Sequence, residues 1–151
     1  MITVYRVLAY VICALVMVQA AVHAWASAGL SAYIFGGGTI DPTGSAPPPV
    51  PEFAGIIIHG INGQYIIPLV AVLLLIFAFL TKAPRAVAFA GTVLGLVVLQ
   101  VLLGLFAHGV TFLALLHGLN ALALFAVALI AALTVGRVSA AERRTAASAQ
   151  V

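Results

Sequence analysis

Charge is what this chain has least of. Six Lys and Arg and three Asp and Glu make up 6% of its 151 residues. Soluble domains carry roughly a quarter, so a water-soluble globule is excluded. Cysteine is nearly absent as well: Cys13 stands alone, which excludes an intramolecular disulfide and a cysteine-built metal cluster. It reads as a small core residue. No nucleophile constellation, phosphate loop or carboxylate pair occurs, so no conventional enzyme acting on a soluble substrate is expected. Any catalytic part would be that of a redox component.

The few charges divide the chain. Residues 7–40, 53–81 and 86–136 carry none. A membrane-spanning helix needs about 20 apolar residues, so the first two runs fit one span each and the third fits two around a turn. The expected fold class is an all-α integral membrane protein, an antiparallel bundle of four transmembrane helices. Arg6, Lys82, Arg85, Arg137, Arg143 and Arg144 all fall on one side of such a bundle, and Asp41 and Glu52 on the other. Basic residues gather on the cytoplasmic side. Both termini are therefore expected in the cytoplasm, and a bacterial plasma membrane is the expected location. The net charge of +3 is then a topology signal and not a nucleic-acid footprint. Ala24-Trp25-Ala26 fits a small-x-small cleavage pattern, but the apolar run outlasts a signal core and holds Gln19 and His23. A retained helix is expected.

A single membrane domain, 1–137, is read with helices over about 2–28, 53–80, 84–107 and 111–135, followed by a cytoplasmic tail, 138–151. Gly29 is the expected stop of the first helix and Gly136 that of the fourth. The outer connection, 31–52, holds Gly36-Gly37-Gly38 and Pro47-Pro48-Pro49; it reads as a spacer with an extended proline-rich end. Pro68 should kink the second helix, and Pro84 should sit near the start of the third. Gly91 and Gly95, four apart, form a face on which helices approach closely. Trp25 and Tyr33 read as belt aromatics at the outer boundary.

Polar residues inside a membrane are costly and hence informative. His23, His59, His108 and His117 all fall in the outer half of the expected bundle. His59-Gly60-Ile61-Asn62 on the second helix and His117-Gly118-Leu119-Asn120 on the fourth repeat one pattern. Each His and Asn, three apart, share a helix face. Both patterns enter from the same side to nearly the same depth, about 8 Å at 1.5 Å per residue. The second and fourth helices of an up-down bundle lie diagonally opposite, so two imidazoles could meet at one level, as a planar tetrapyrrole requires. Gly60, Gly63 and Gly118 leave room beside them. Asn62, Asn120, Gln64 or backbone carbonyls are candidates to fix the second ring nitrogen of each ligand. Val18-Gln19 and Leu99-Gln100 also echo each other, as two related hairpins would. The alternative for the His pair is hydrogen bonding within the bundle.

The stretch Leu99-Gln100-Val101-Leu102-Leu103-Gly104, followed by Leu115-Leu116-His117-Gly118-Leu119-Asn120-Ala121, with His59 upstream, resembles one four-helix half of haem A synthase. Over residues 53–135 the chain is also similar to small bis-histidine membrane cytochromes. The resemblance implies haem b held by His59 and His117 near the outer face. The catalytic half of that enzyme has a glutamate one turn before the first histidine; here that position is Ile56, and the paired cysteines of many members are missing. A haem-binding half-bundle is implied rather than a haem-oxidising enzyme.

Three functions follow as alternatives. The first is a small cytochrome-like protein for electron transfer or haem handling, with bis-histidine ligation leaving no open position for oxygen. The second is a cofactor-free subunit of a larger membrane complex or homo-oligomer. The third is a transition-metal site built from all four histidines. His23 reads as a bundle hydrogen bonder, a propionate contact or a second ligand, and His108 as an interfacial residue. Gln19 and Gln100 are expected to bond across helices.

Overall fold

A computed structural model describes residues 1–148 other than Pro42, Gly44 and Pro48, and the side chains of these except 136–147. The chain is helical: α1 spans Ile2–Phe35, α2 Ala54–Ile61, α3 Ile67–Thr81, α4 Ala86–Phe106 and α5 Phe112–Ser148. A 3-10 turn, Pro51–Phe53, leads into α2, and a π-turn, Asn62–Ile66, joins α2 to α3. Four stretches are long and apolar enough to cross a membrane: Ile2–Phe35, Pro51–Thr81, Ala86–Phe106 and Phe112–Val135. In packing order the first span neighbours the second and fourth, and the third does the same. The second and fourth are therefore diagonal, as expected. The long connection and the 107–111 turn share the loop end; the N-terminus and the 82–85 turn share the terminal end.

The inside of the bundle is small and its outside is large. Half of the buried apolar residues are alanines, while Phe79, Phe106, Tyr65 and Leu122 are exposed. Water would drive the reverse; apolar surroundings leave small residues to set how closely helices approach. At the terminal end the Tyr5 hydroxyl donates to the Ala86 carbonyl at 3.2 Å, and Arg6 Nε donates to Ala132 O at 3.3 Å.

Several boundaries differ from the sequence reading. The first helix does not stop at Gly29. It runs to Phe35 and ends where Gly37 adopts φ +90°. Gly29 instead admits a neighbour, since a Cβ there would collide with Glu52. Pro84 lies in the turn before α4, which begins at Ala86 after Lys82 and Arg85 take left-handed backbone. The last helix passes Gly136 and reaches Ser148; its Ala- and Arg-rich end has high helix propensity, though the apolar stretch still closes at Val135. Gly91 and Gly95 do not pack inside the bundle, for a Cβ at either meets nothing within 4 Å. The side chains of Arg137, Arg143 and Arg144, the residue Pro48, and Ala149–Val151 lie outside the described residues.

The disruption at Pro68 takes the form of a π-turn. The amide of Ile67 reaches back five residues to Asn62 O, and α3 restarts with Pro68 in its first turn, where a missing N–H is tolerated. The two hairpins show what this does. Buried Tyr5, Ala9 and Ile12 stand 81 positions before buried Ala86, Ala90 and Val93. Between the second and fourth spans, His59 and Asn62 stand 58 positions before His117 and Asn120. Beyond the π-turn, buried Ile67, Ala71, Leu74 and Ala78 stand 57 before Leu124, Ala128, Ala131 and Val135. The second span holds one extra residue, and the π-turn absorbs it without rotating the buried face.

In the connection, Asp41 accepts from the Thr43 amide at 2.8 Å, the Thr43 hydroxyl at 2.7 Å, the Ser45 amide at 3.2 Å and the Ser45 hydroxyl. These bonds, that from the Ser45 hydroxyl foremost, hold its carboxyl well below the usual carboxylate range.

Candidate functional site

Toward the loop end the hairpins are stitched pairwise, and each stitch is made twice. His59 Nδ1 lies 3.1 Å from the Gln19 carbonyl oxygen, and His117 Nδ1 lies 3.0 Å from that of Gln100. A carbonyl only accepts, so Nδ1 carries the proton in both rings, and Nε2 is left as the lone-pair nitrogen. One turn below, Asn62 Nδ2 donates to Leu15 O at 3.3 Å and Asn120 Nδ2 to Leu96 O at 2.9 Å. Both asparagines are buried. They bind helix to helix, not the imidazoles; the groups that orient the imidazoles are the backbone carbonyls of Gln19 and Gln100. Sequence reasoning allowed carbonyls but could not select these two, because an acceptor on the main chain leaves no mark in residue type.

Between the stitched pairs lies a cavity of about 900 Å³, lined from all four spans. That is near the upper end of ligand pockets, about 300–1,000 Å³. His59 and His117 both line it, with ring centroids 6.0 Å apart and ring planes tilted by 47°. Two imidazoles on opposite sides of one metal, each nitrogen about 2 Å from it and about 1.1 Å from its own ring centre, place their centroids about 6 Å apart. Gly60 and Gly118 line the cavity, and a Cβ on either would meet nothing within 4 Å. The room expected beside the ligands is there. His59 and His117 are the residues that would hold a planar macrocycle there, and Gly60 and Gly118 would leave it room.

The other histidines also reach this cavity. The ring of His23 lies 5.0 Å from that of His59, and His108, in the turn after α4, lines the same space while remaining exposed. Among the described residues, no three His, Cys, Asp or Glu side chains form a metal-holding group. A compact four-histidine site is therefore not assembled.

The two halves differ in detail. Asn120 Nδ2 also donates to Gln100 Oε1 at 2.7 Å. Gln19 instead turns its amide to the backbone, Nε2 donating to His59 O at 3.0 Å, which leaves Gln19 Oε1 and Asn62 Oδ1 buried without a partner. Gly63 makes room for that turn, since a Cβ there would run into Gln19 Nε2; the matching residue of the other half is Ala121. Gly104, quoted within the stretch 99–104, was given no role by sequence reasoning. It matches His23 in the repeat, and a Cβ on it would stand 3.0 Å from His117 Cε1.

No protein-family model, no curated protein and no solved structure matches this chain.

Proposed function

We propose that this chain is an integral membrane protein that holds haem b between His59 and His117 and serves electron transfer near one membrane face. The observation that carries this reading is the paired imidazoles, 6.0 Å apart on one cavity, each with Nδ1 tied to a glutamine carbonyl. Such ties fix the tautomer, aim Nε2 and raise its basicity as a ligand. Haem held this way supplies one-electron exchange between ferric and ferrous iron. The chain's residues do the rest: Gly60 and Gly118 leave the walls open, the chiefly apolar lining suits the macrocycle's faces, and Gly104 leaves His117 its place. With Arg6, Lys82 and Arg85 at the terminal end, both termini face the cytoplasm of a bacterial cell, and the site lies toward the outer face. The small-inside, large-outside packing supports the membrane setting.

A second reading, a subunit of a larger membrane complex, is favoured by one observation: Gly91 and Gly95 present a small-residue face that nothing in the bundle covers. The two readings are compatible.

The test is an optical spectrum of the detergent-purified protein, expressed with haem supplied. A Soret band with sharp reduced α and β bands is expected, and it should be lost or altered in His117→Ala. A spectrum of protein alone would overturn the proposal.

A further inference from the structure

We infer that His23 is an alternate axial ligand, so that the cavity provides three imidazoles for two coordination positions and His23 replaces His59 when that bond is broken. The inference rests on the haem-binding reading above.

Helix geometry brings His23 to the site. Side chains lean toward the N-terminus of their own helix. The first span runs from the terminal end to the loop end, and the second and fourth run back. His23, one turn past Gln19, therefore leans down toward the level of the Gln19 carbonyl, while His59 and His117 lean up to it. The outcome is the 5.0 Å separation of the His23 and His59 rings, with all three residues on one cavity.

The third imidazole is not repeated on the other hairpin. At the position matching His23 the third span has Gly104, close against His117. In the repeat His59 has an imidazole at its side and His117 has a glycine.

The wall that carries His59 is also the one built to yield. Directly beyond His59 the second span turns through the π-turn Asn62–Ile66, and beside it Gln19 Oε1 and Asn62 Oδ1 lack donors. Across the cavity α5 is regular α-helix, and Asn120 is bonded twice. Displacing either imidazole breaks its Nδ1 bond to a glutamine carbonyl, but among the described residues the buried oxygens without a donor lie on the His59 wall.

The exchange balances simply. One iron–nitrogen bond, to His59 Nε2, breaks and one to a His23 ring nitrogen forms. His59 keeps its proton on Nδ1, neutral imidazole replaces neutral imidazole, and no electron moves.

The experiment uses the full chain, purified in detergent with haem b bound. The variants are His59→Gly, His117→Gly, His23→Gly and the double variant His23→Gly/His59→Gly. Optical and electron paramagnetic resonance spectra report spin state, and far-ultraviolet circular dichroism reports helix content. The wild-type protein and His23→Gly are expected to be low-spin. His59→Gly should stay low-spin, whereas His117→Gly and the double variant should turn high-spin and recover on adding free imidazole. His59→Gln, whose amide can still donate to the Gln19 carbonyl, provides a second reading should His59→Gly fail to fold. High-spin haem in His59→Gly or His59→Gln, beside a low-spin wild type, overturns the inference and leaves the haem site standing. A wild-type protein with no Soret band overturns both.

Discussion

Asn62 and Asn120 occupy matching places in two matching hairpins, yet their replacement by leucine should have unequal costs. Asn120 makes two bonds, at 2.9 and 2.7 Å, and its loss leaves Gln100 Oε1 without a donor. Interhelical hydrogen bonds in membrane proteins average about 0.6 kcal/mol and reach about 1.7, so two of them put Asn120→Leu at about 1–3 kcal/mol. Asn62 makes one long bond, 3.3 Å, and its Oδ1 is buried unpaired. Leucine there removes a weak bond together with an unmet acceptor, for a net change of about 0.5 kcal/mol or less, of either sign. The difference, about 1–2 kcal/mol, is a factor of 5–30 in the folding equilibrium. Equilibrium unfolding in mixed detergent and sodium dodecyl sulfate, followed by circular dichroism, resolves it. A cycle with Gln100→Leu should show coupling to Asn120 and none to Asn62. Equal costs for the two asparagines would refute the reasoning that the halves differ in polar satisfaction.

Gly104→Ala should lower haem content per protein, because the new Cβ at 3.0 Å from His117 Cε1 pushes the ring off its carbonyl; Gly91→Ala, facing open space, should leave it unchanged. A haemochrome assay normalised to protein decides this. Tyr5→Phe should cost about 1 kcal/mol or less in the same unfolding assay, since the Ala86 carbonyl it releases keeps its helical partner; a loss of several kcal/mol would contradict that assignment. Asp41 is held below its ordinary value of 3.8 by the Ser45 and Thr43 bonds. A depressed folded value means that its stabilisation of the connection is present above 3.8 and fades only as pH falls through the lower value. Carboxyl chemical shifts should show the Asp41 midpoint below 3.8, and a midpoint at or above it would contradict the bonding described.

The four long apolar helices and the approach of His59 to His117 were legible in the sequence, because apolar run length and helical spacing encode them directly. Boundaries at glycine were not. Gly29 looked like a stop, but here a missing side chain serves the approach of Glu52, and the two uses look alike in sequence. Gly91 and Gly95 misled for the same reason, since spacing shows a face but not what covers it. The π-turn escaped because one added residue leaves the composition of the second span unchanged. It shows only when the buried faces of two hairpins are laid side by side.

That added residue bears on how the two walls can differ in length. One residue added to a regular helix turns everything beyond it by about 100°, which would swing Ile67, Ala71, Leu74 and Ala78 out of the core. Bulging a single turn confines the offset to the five residues Asn62–Ile66. Helices of unequal length thus keep their buried faces in step, and the mismatch is taken up beside the cavity, where His59 and Asn62 stand.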